Sequence, residues 1–121
     1  ISLDDYYKMS GDIEFLQMIY PKMESMMHYC MNQLDENGFI CERPEDWVFI
    51  DWSDIDKEGA ISEEQLLLAR SYQAMISVRK LLGMDTSEFE ERFGALKKNI
   101  WKFYLRQKES KQTFKYFCCT F

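Results

Sequence analysis

Between Ser62 and Gly83 apolar side chains recur on two sides of one helix, and that constrains everything packed around it. Leu66, Ala69 and Met75 fall on one side, and Leu67, Ala74, Val78 and Leu81 on another. A surface helix buries a single stripe, so a helix apolar on two flanks has to be sandwiched. Ser62 with Gln65 three positions on has the pattern of a capping box, and Gly83 closes the segment. The following helix, capped by Thr86 or Ser87, has a narrower stripe of Phe89, Phe93, Leu96, Ile100 and Phe103. Glu90, Glu91, Lys97 and Lys98 form its wet face. The two read as an antiparallel hairpin with an inner and an outer member.

The first third of the chain also reads as helix. Leu3 to Met9 form one helical end that stops at Ser10-Gly11, and Asp12 caps a short turn from Ile13 to Ile19. Pro21 lacks a backbone donor and suits the first position of a new helix. In that second helix Met23, Met26/Met27, Cys30 and Leu34 recur at helical spacing, and Asn37-Gly38 is expected to end it. Met is adaptable enough to line a partner groove, but spacing this regular reads as core packing. Pro and Gly are scarce, at 2 and 5 of 121 residues, so little interrupts the helices. A chain this long buries roughly two-thirds of its unfolded surface, enough for a core without staples. The expected fold class is all-α, built of antiparallel helical hairpins, with a helical domain over 1–107 and an irregular tail over 108–121.

Charge and cysteine usage exclude several functions. The net charge is -6, and the basic stretch Lys97 to Lys111 is diluted by Glu109 and aromatics, so no nucleic-acid partner is expected. No apolar run approaches a bilayer span, so no membrane role is expected either. Cys30, Cys41, Cys118 and Cys119 include no CxxC arrangement, and adjacent cysteines such as Cys118 and Cys119 rarely bond to each other. His28 and Cys30 lie two apart, on different faces of a helix, and read as a partly buried histidine and a core thiol. The start at Ile1 reads as a removed leader or an excised piece of a longer protein.

The chemistry is expected in the long connection from Phe39 to Gly59. Helix hairpins usually need only about 2–8 linking residues, and longer connections tend to be functional. From Asp54 this connection comes close to a calcium-binding EF-hand loop: Asp54, Asp56, Glu58, Gly59 and Ile61 fill five slots acceptably. The twelfth slot holds Gln65, which brings one neutral oxygen where a bidentate carboxylate is wanted. Pro44 and the β-like Trp47 to Trp52 run oppose an entering helix, and no second loop is present to pair with it. A calcium-binding or purely structural helical interaction module is therefore the alternative reading.

The main reading rests on a series of segments in order: Asp5 to Asp12 (DYYKMSGD), Tyr20 to Met23, Leu34 to Gly38, Phe49 to Trp52 with its DW pair, and Asp56 to Gly83. Together, over about Leu3 to Gln107, the series resembles part of the six-hairpin (α/α)6 toroid of bacterial α-L-rhamnosidases of glycoside hydrolase family 78. The resemblance implies hydrolysis of terminal α-L-rhamnosides from plant or bacterial glycans, with inversion and without metal or cofactor. Inverting enzymes set an acid and a base roughly 6.5–9.5 Å apart on opposite sides of the sugar. In the resembling enzymes both belong to motifs absent from this sequence, so no catalytic residue is assigned and the chain is expected to be inactive alone. The resemblance gives Asp51 and Trp52 a substrate-binding role. An indole packs on the C–H face of a sugar while a carboxylate accepts from its hydroxyls. Trp47 is expected to pack, and Asp56 and Glu58 to shape the turn. The compartment stays open, with a periplasmic or secreted parent compatible. Self-association is expected through the face bearing Leu66, Met75 and the Met-rich stripe, left bare in a partial toroid.

Overall fold

The computed structural model describes residues 1–41 and 60–105, and within these the chain is all-α. Four helices, α1 (Ser2–Ser10), α2 (Ile13–Met31), α3 (Ser62–Leu81) and α4 (Ser87–Ile100), are followed by a π-helical turn, Trp101–Leu105. The helix α3 packs against α1, α2 and α4, which is the sandwiched position its two apolar flanks require. Its direction relative to its neighbours follows from the contacts at its ends. Lys80 pairs with Glu90 at 2.9 Å at one end, while the Tyr104 hydroxyl donates to the Ala60 carbonyl at 2.7 Å at the other. Similarly, Tyr20 near the start of α2 meets Arg79 near the end of α3, whereas Ile40, beyond α2, meets Gln65. Both neighbours therefore run antiparallel to α3.

Local chemistry sets most boundaries. Gly11, at φ 67°, ends α1 by donating to the Tyr7 carbonyl at 2.8 Å. Asp12 then accepts from the Phe15 amide at 2.9 Å and caps α2. At the far end of α3, Gly83 donates to the Lys80 carbonyl and Met84 to the Arg79 carbonyl, the paired bonds of a Schellman motif.

Three boundaries differ from the sequence expectation. Pro21 does not open a helix: it lies inside α2, which runs unbroken from Ile13 to Met31. Pro21, which cannot donate to the Gln17 carbonyl, and Gln17 itself are both exposed residues on the outer side of the helix. The helix α2 also stops at Met31 rather than at Asn37-Gly38. The Asp35 carboxylate accepts from the amides of Asn37 at 2.9 Å and Phe39 at 2.8 Å, satisfying donors that a helix would otherwise use. Gly38, at φ 75°, completes this turn, and Leu34 bridges Ile40. Finally, Ser62 is the first helical residue, not a cap, and its hydroxyl donates to Glu63 at 2.7 Å.

The core is centred on α3. Leu16, Tyr20, Met27 and Met31 of α2, Leu66, Leu68, Tyr72, Met75 and Val78 of α3, and Phe89, Leu96 and Ile100 of α4 form one cluster. The α4 stripe is as expected, with Phe93 and Phe103 half-buried beside it. On α2 the stripe is displaced: Met26 faces water, and Leu16 and Tyr20 take buried places. Leu67 and Leu81 also face outward, while Leu68 and Tyr72 fill the second flank of α3. Leu66, Met75, Met27 and Met31 are covered by the chain's own helices. That part of the face expected to associate is therefore buried, whereas Met18 and Met26 of the same Met-rich helix are exposed. Among the described residues no helix is long and apolar enough to cross a membrane.

A charged network ties α1 to α3. Asp4 is fully buried, and its Oδ2 accepts from Lys8 at 2.7 Å and from Arg70 at 3.1 Å. Burial by itself would raise the Asp4 pKa, but the hydrogen bonds of Lys8, Ser77 and Arg70 and the charge of Lys8 outweigh it and hold the pKa below 3.8. A carboxyl with a lowered folded pKa contributes stability above its unfolded value and loses it as pH falls through the folded value. Asp4→Asn is therefore expected to cost about 2 kcal/mol at neutral pH. Below about pH 4 the gap between variant and parent should close. Urea melts at pH 7 and pH 3 measure this, and an equal gap at both would rule it out.

Candidate functional site

Asp51 and Trp52, the sequence-predicted substrate residues, lie outside the described residues, as do Trp47, Asp54, Asp56, Glu58, Gly59 and the 108–121 tail. The structure describes instead the two ends of the connection that carries most of them, Cys41 and Ala60, and the groups that hold those ends.

Gln65 is the central group. Fully buried in the first turn of α3, it accepts from the Ile40 amide at 2.9 Å and donates to the Ile40 carbonyl at 2.7 Å. The same nitrogen donates to the Ile61 carbonyl at 2.9 Å. The outgoing and returning strands of the 41–60 connection thus converge on one amide. Only a side chain with both a donor and an acceptor can satisfy an amide and two carbonyls at once. This is not the capping box expected from its position. The Gln65 oxygen, at the twelfth slot of the EF-hand reading, accepts from the Ile40 amide. Its role escapes sequence reasoning because its partner at Ile40 is 25 positions away.

Two groups from the end of the outer helix reinforce the stem. The Tyr104 hydroxyl donates to the Ala60 carbonyl at 2.7 Å, and Asn99 Nδ2 donates to the Asn37 carbonyl at 2.7 Å. Phe39, almost fully buried, sits between them, with Phe103 edge-on at 5.4 Å and Tyr104 at 5.7 Å between ring centroids. The buried Phe39 ring and its half-buried neighbours partly shield the stem's hydrogen bonds from water.

Electrostatics at the stem favour permanence over proton exchange. Burial would raise the Asp35 pKa, but hydrogen bonds from Phe39, Asn37 and Cys41 hold it below 3.8. Burial and then the charges of Asp35 and Glu64 push the Cys41 thiol above 9.0. Burial, followed by Cys41, Asp35, Glu63 and Glu64, pushes the Tyr104 phenol up to about 12. At neutral pH Asp35 is ionised and Cys41 and Tyr104 keep their protons. Tyr104 therefore remains a donor to the Ala60 carbonyl at neutral pH.

His28 is exposed with its ring 6.1 Å from that of Phe89, and Cys30 is half-buried. Among the described residues no group of three or more His, Cys, Asp or Glu side chains is arranged to hold a metal ion.

Compared with known proteins, residues 1–116 match a family model described as the bacterial alpha-L-rhamnosidase 6 hairpin glycosidase domain. No curated protein matches the chain.

Proposed function

This chain belongs to the family of the bacterial α-L-rhamnosidase six-hairpin glycosidase domain, and from that premise we propose that it presents a sugar-lining loop of an inverting α-L-rhamnosidase. The observation that supports this most directly is the stem: Gln65 and Tyr104 grip both ends of the 41–60 connection where the inner helix begins. A loop that must meet a sugar in one pose gains from such a fixed base, because positioning is where much of the binding and catalytic advantage arises. In this reading Trp52 stacks on the C–H face of a terminal rhamnose and Asp51 accepts from its hydroxyls. The carboxyl groups that transfer protons come from residues beyond this sequence. The helices over 1–107 form the working unit, the 108–121 tail stands outside it, and the chain alone does not hydrolyse rhamnosides.

The test is titration of the chain with L-rhamnose, followed by calorimetry, alongside p-nitrophenyl α-L-rhamnoside as a reporter of turnover. Saturable binding is expected to weaken about tenfold in Trp52→Ala or Asp51→Ala, since a stacked aromatic or a charged hydrogen bond each contributes on that order. Trp101→Phe should leave it unchanged. Equal affinity in all four proteins would overturn the site assignment, and robust release of nitrophenol by this chain would overturn its inactivity.

Self-association is also part of the proposal, but through the outward side of α2, where Met18, Met26 and Tyr29 are 65%, 70% and 62% exposed. Sedimentation velocity across a dilution series tests it; a monomer at every concentration would exclude it.

A further inference from the structure

We infer that Tyr104 is a positioning residue, acting with Gln65 as one clasp that fixes where the 41–60 connection leaves and re-enters the helices. The inference rests on the rhamnoside-binding reading above and adds to it the residues that set the loop's base.

The two side chains come from different helices, and their targets lie on both strands of the stem. Gln65 holds Ile40 through both amide and carbonyl and touches Ile61, while Tyr104 holds Ala60, the residue before Ile61. The returning strand is thus held on consecutive carbonyls from two directions. Phe39 packs on the Tyr104 ring, so the aromatic body presses on the outgoing strand while its hydroxyl secures the returning one. A π-helical turn carries Tyr104. Such turns are rare overall and frequent at functional sites. Asn99, bonded to the Asn37 carbonyl, braces the Asp35 turn that leads into the outgoing strand. A tether needed only for stability would be served by the half-buried ring alone. The hydroxyl adds a directional bond to one carbonyl, which fixes position.

The test compares Tyr104→Phe, which keeps the ring and removes the hydroxyl, with Val78→Ala, which opens a void in α3 away from the stem. Native-state hydrogen exchange at the Ile40 amide, melting temperature and L-rhamnose affinity are read in both. Tyr104 makes no bond to Ile40, so faster exchange there reports that the clasp works as a unit. Tyr104→Phe is expected to speed that exchange about tenfold and weaken rhamnose binding several-fold, the scale of one lost hydrogen bond, with a small change in melting temperature. Val78→Ala should lower the melting temperature while leaving rhamnose affinity intact. Unchanged Ile40 exchange in Tyr104→Phe would overturn the clasp. Faster exchange with unchanged rhamnose affinity would overturn its positioning role. If the unaltered chain binds no rhamnose, the functional reading fails, and Ile40 exchange still decides whether the two side chains act together.

Discussion

Replacing Gln65 by Leu is expected to destabilise the chain by about 3 kcal/mol, although the exchange is close in volume and places an apolar group in an apolar core. The loss arises from what stays behind. The Ile40 amide and carbonyl both bond to this one side chain, and each buried group left unsatisfied costs about 1–3 kcal/mol, with losses that do not simply add. The Ile61 carbonyl keeps its bond from the Gln65 backbone amide at 3.3 Å. Gln65→Glu separates two explanations for the same position. A carboxylate accepts from the Ile40 amide but sets its second oxygen against two carbonyls that need a donor. Its folded pKa should therefore lie above its unfolded value. The sign follows: the variant approaches the parent's stability in acid, where the carboxyl is protonated and donates, and loses ground as pH rises through the folded pKa. If residues 54–65 were instead a calcium loop, the same substitution would complete the twelfth ligand. Thermal melts from pH 4 to pH 8, with and without Ca²⁺, distinguish these outcomes. Saturable calcium uptake and a calcium-dependent rise in melting temperature in Gln65→Glu would overturn the clasp.

The second large effect is expected at Arg79. Its guanidinium donates to the Tyr20 hydroxyl at 2.8 Å, pairs with Glu24 of α2, donates through Nε to the Asp85 carbonyl, and lies 5.1 Å from the centre of the Phe89 ring. One side chain thus links α2, the end of α3, the connecting turn and the start of α4. Glu24 remains partly exposed, which lowers the worth of its pair below that of a fully buried one. Arg79→Ala is expected to cost about 2–3 kcal/mol, or on the order of 10 °C in melting temperature. Arg79→Lys should recover less than half of this. An ammonium keeps the charge but cannot reach Tyr20, Glu24 and Asp85 in the fixed fork that guanidinium provides. A Lys variant that melts with the parent would show that charge alone, not geometry, matters here.

Where the sequence was legible, the signal was local. The Phe89-Phe93-Leu96-Ile100 stripe, the Asp12 cap and the stops at Gly11 and Gly83 each depend on residues within a turn or so of one another. Where it was not, distant groups competed with local preference. Ser62 and Gln65 have the spacing of a capping box, yet Gln65 gains more from a strand 25 positions away. The proposed sugar-binding role of Asp51 and Trp52 rests on resemblance and not on any periodicity, because no repeating sequence pattern marks such a site.

From spacing alone the chain is fixed as helical hairpins with an inner and an outer member, since a two-sided apolar helix has to be enclosed whatever surrounds it. Tertiary structure alone decided how the long connection is held. Its hydrogen bonds join residues 25, 44 and 62 positions apart, and no helical period records a partner that far along the chain. It also decided that Pro21 sits within α2, on a side where both Pro21 and Gln17 are exposed, an exposure that only the packed helices determine.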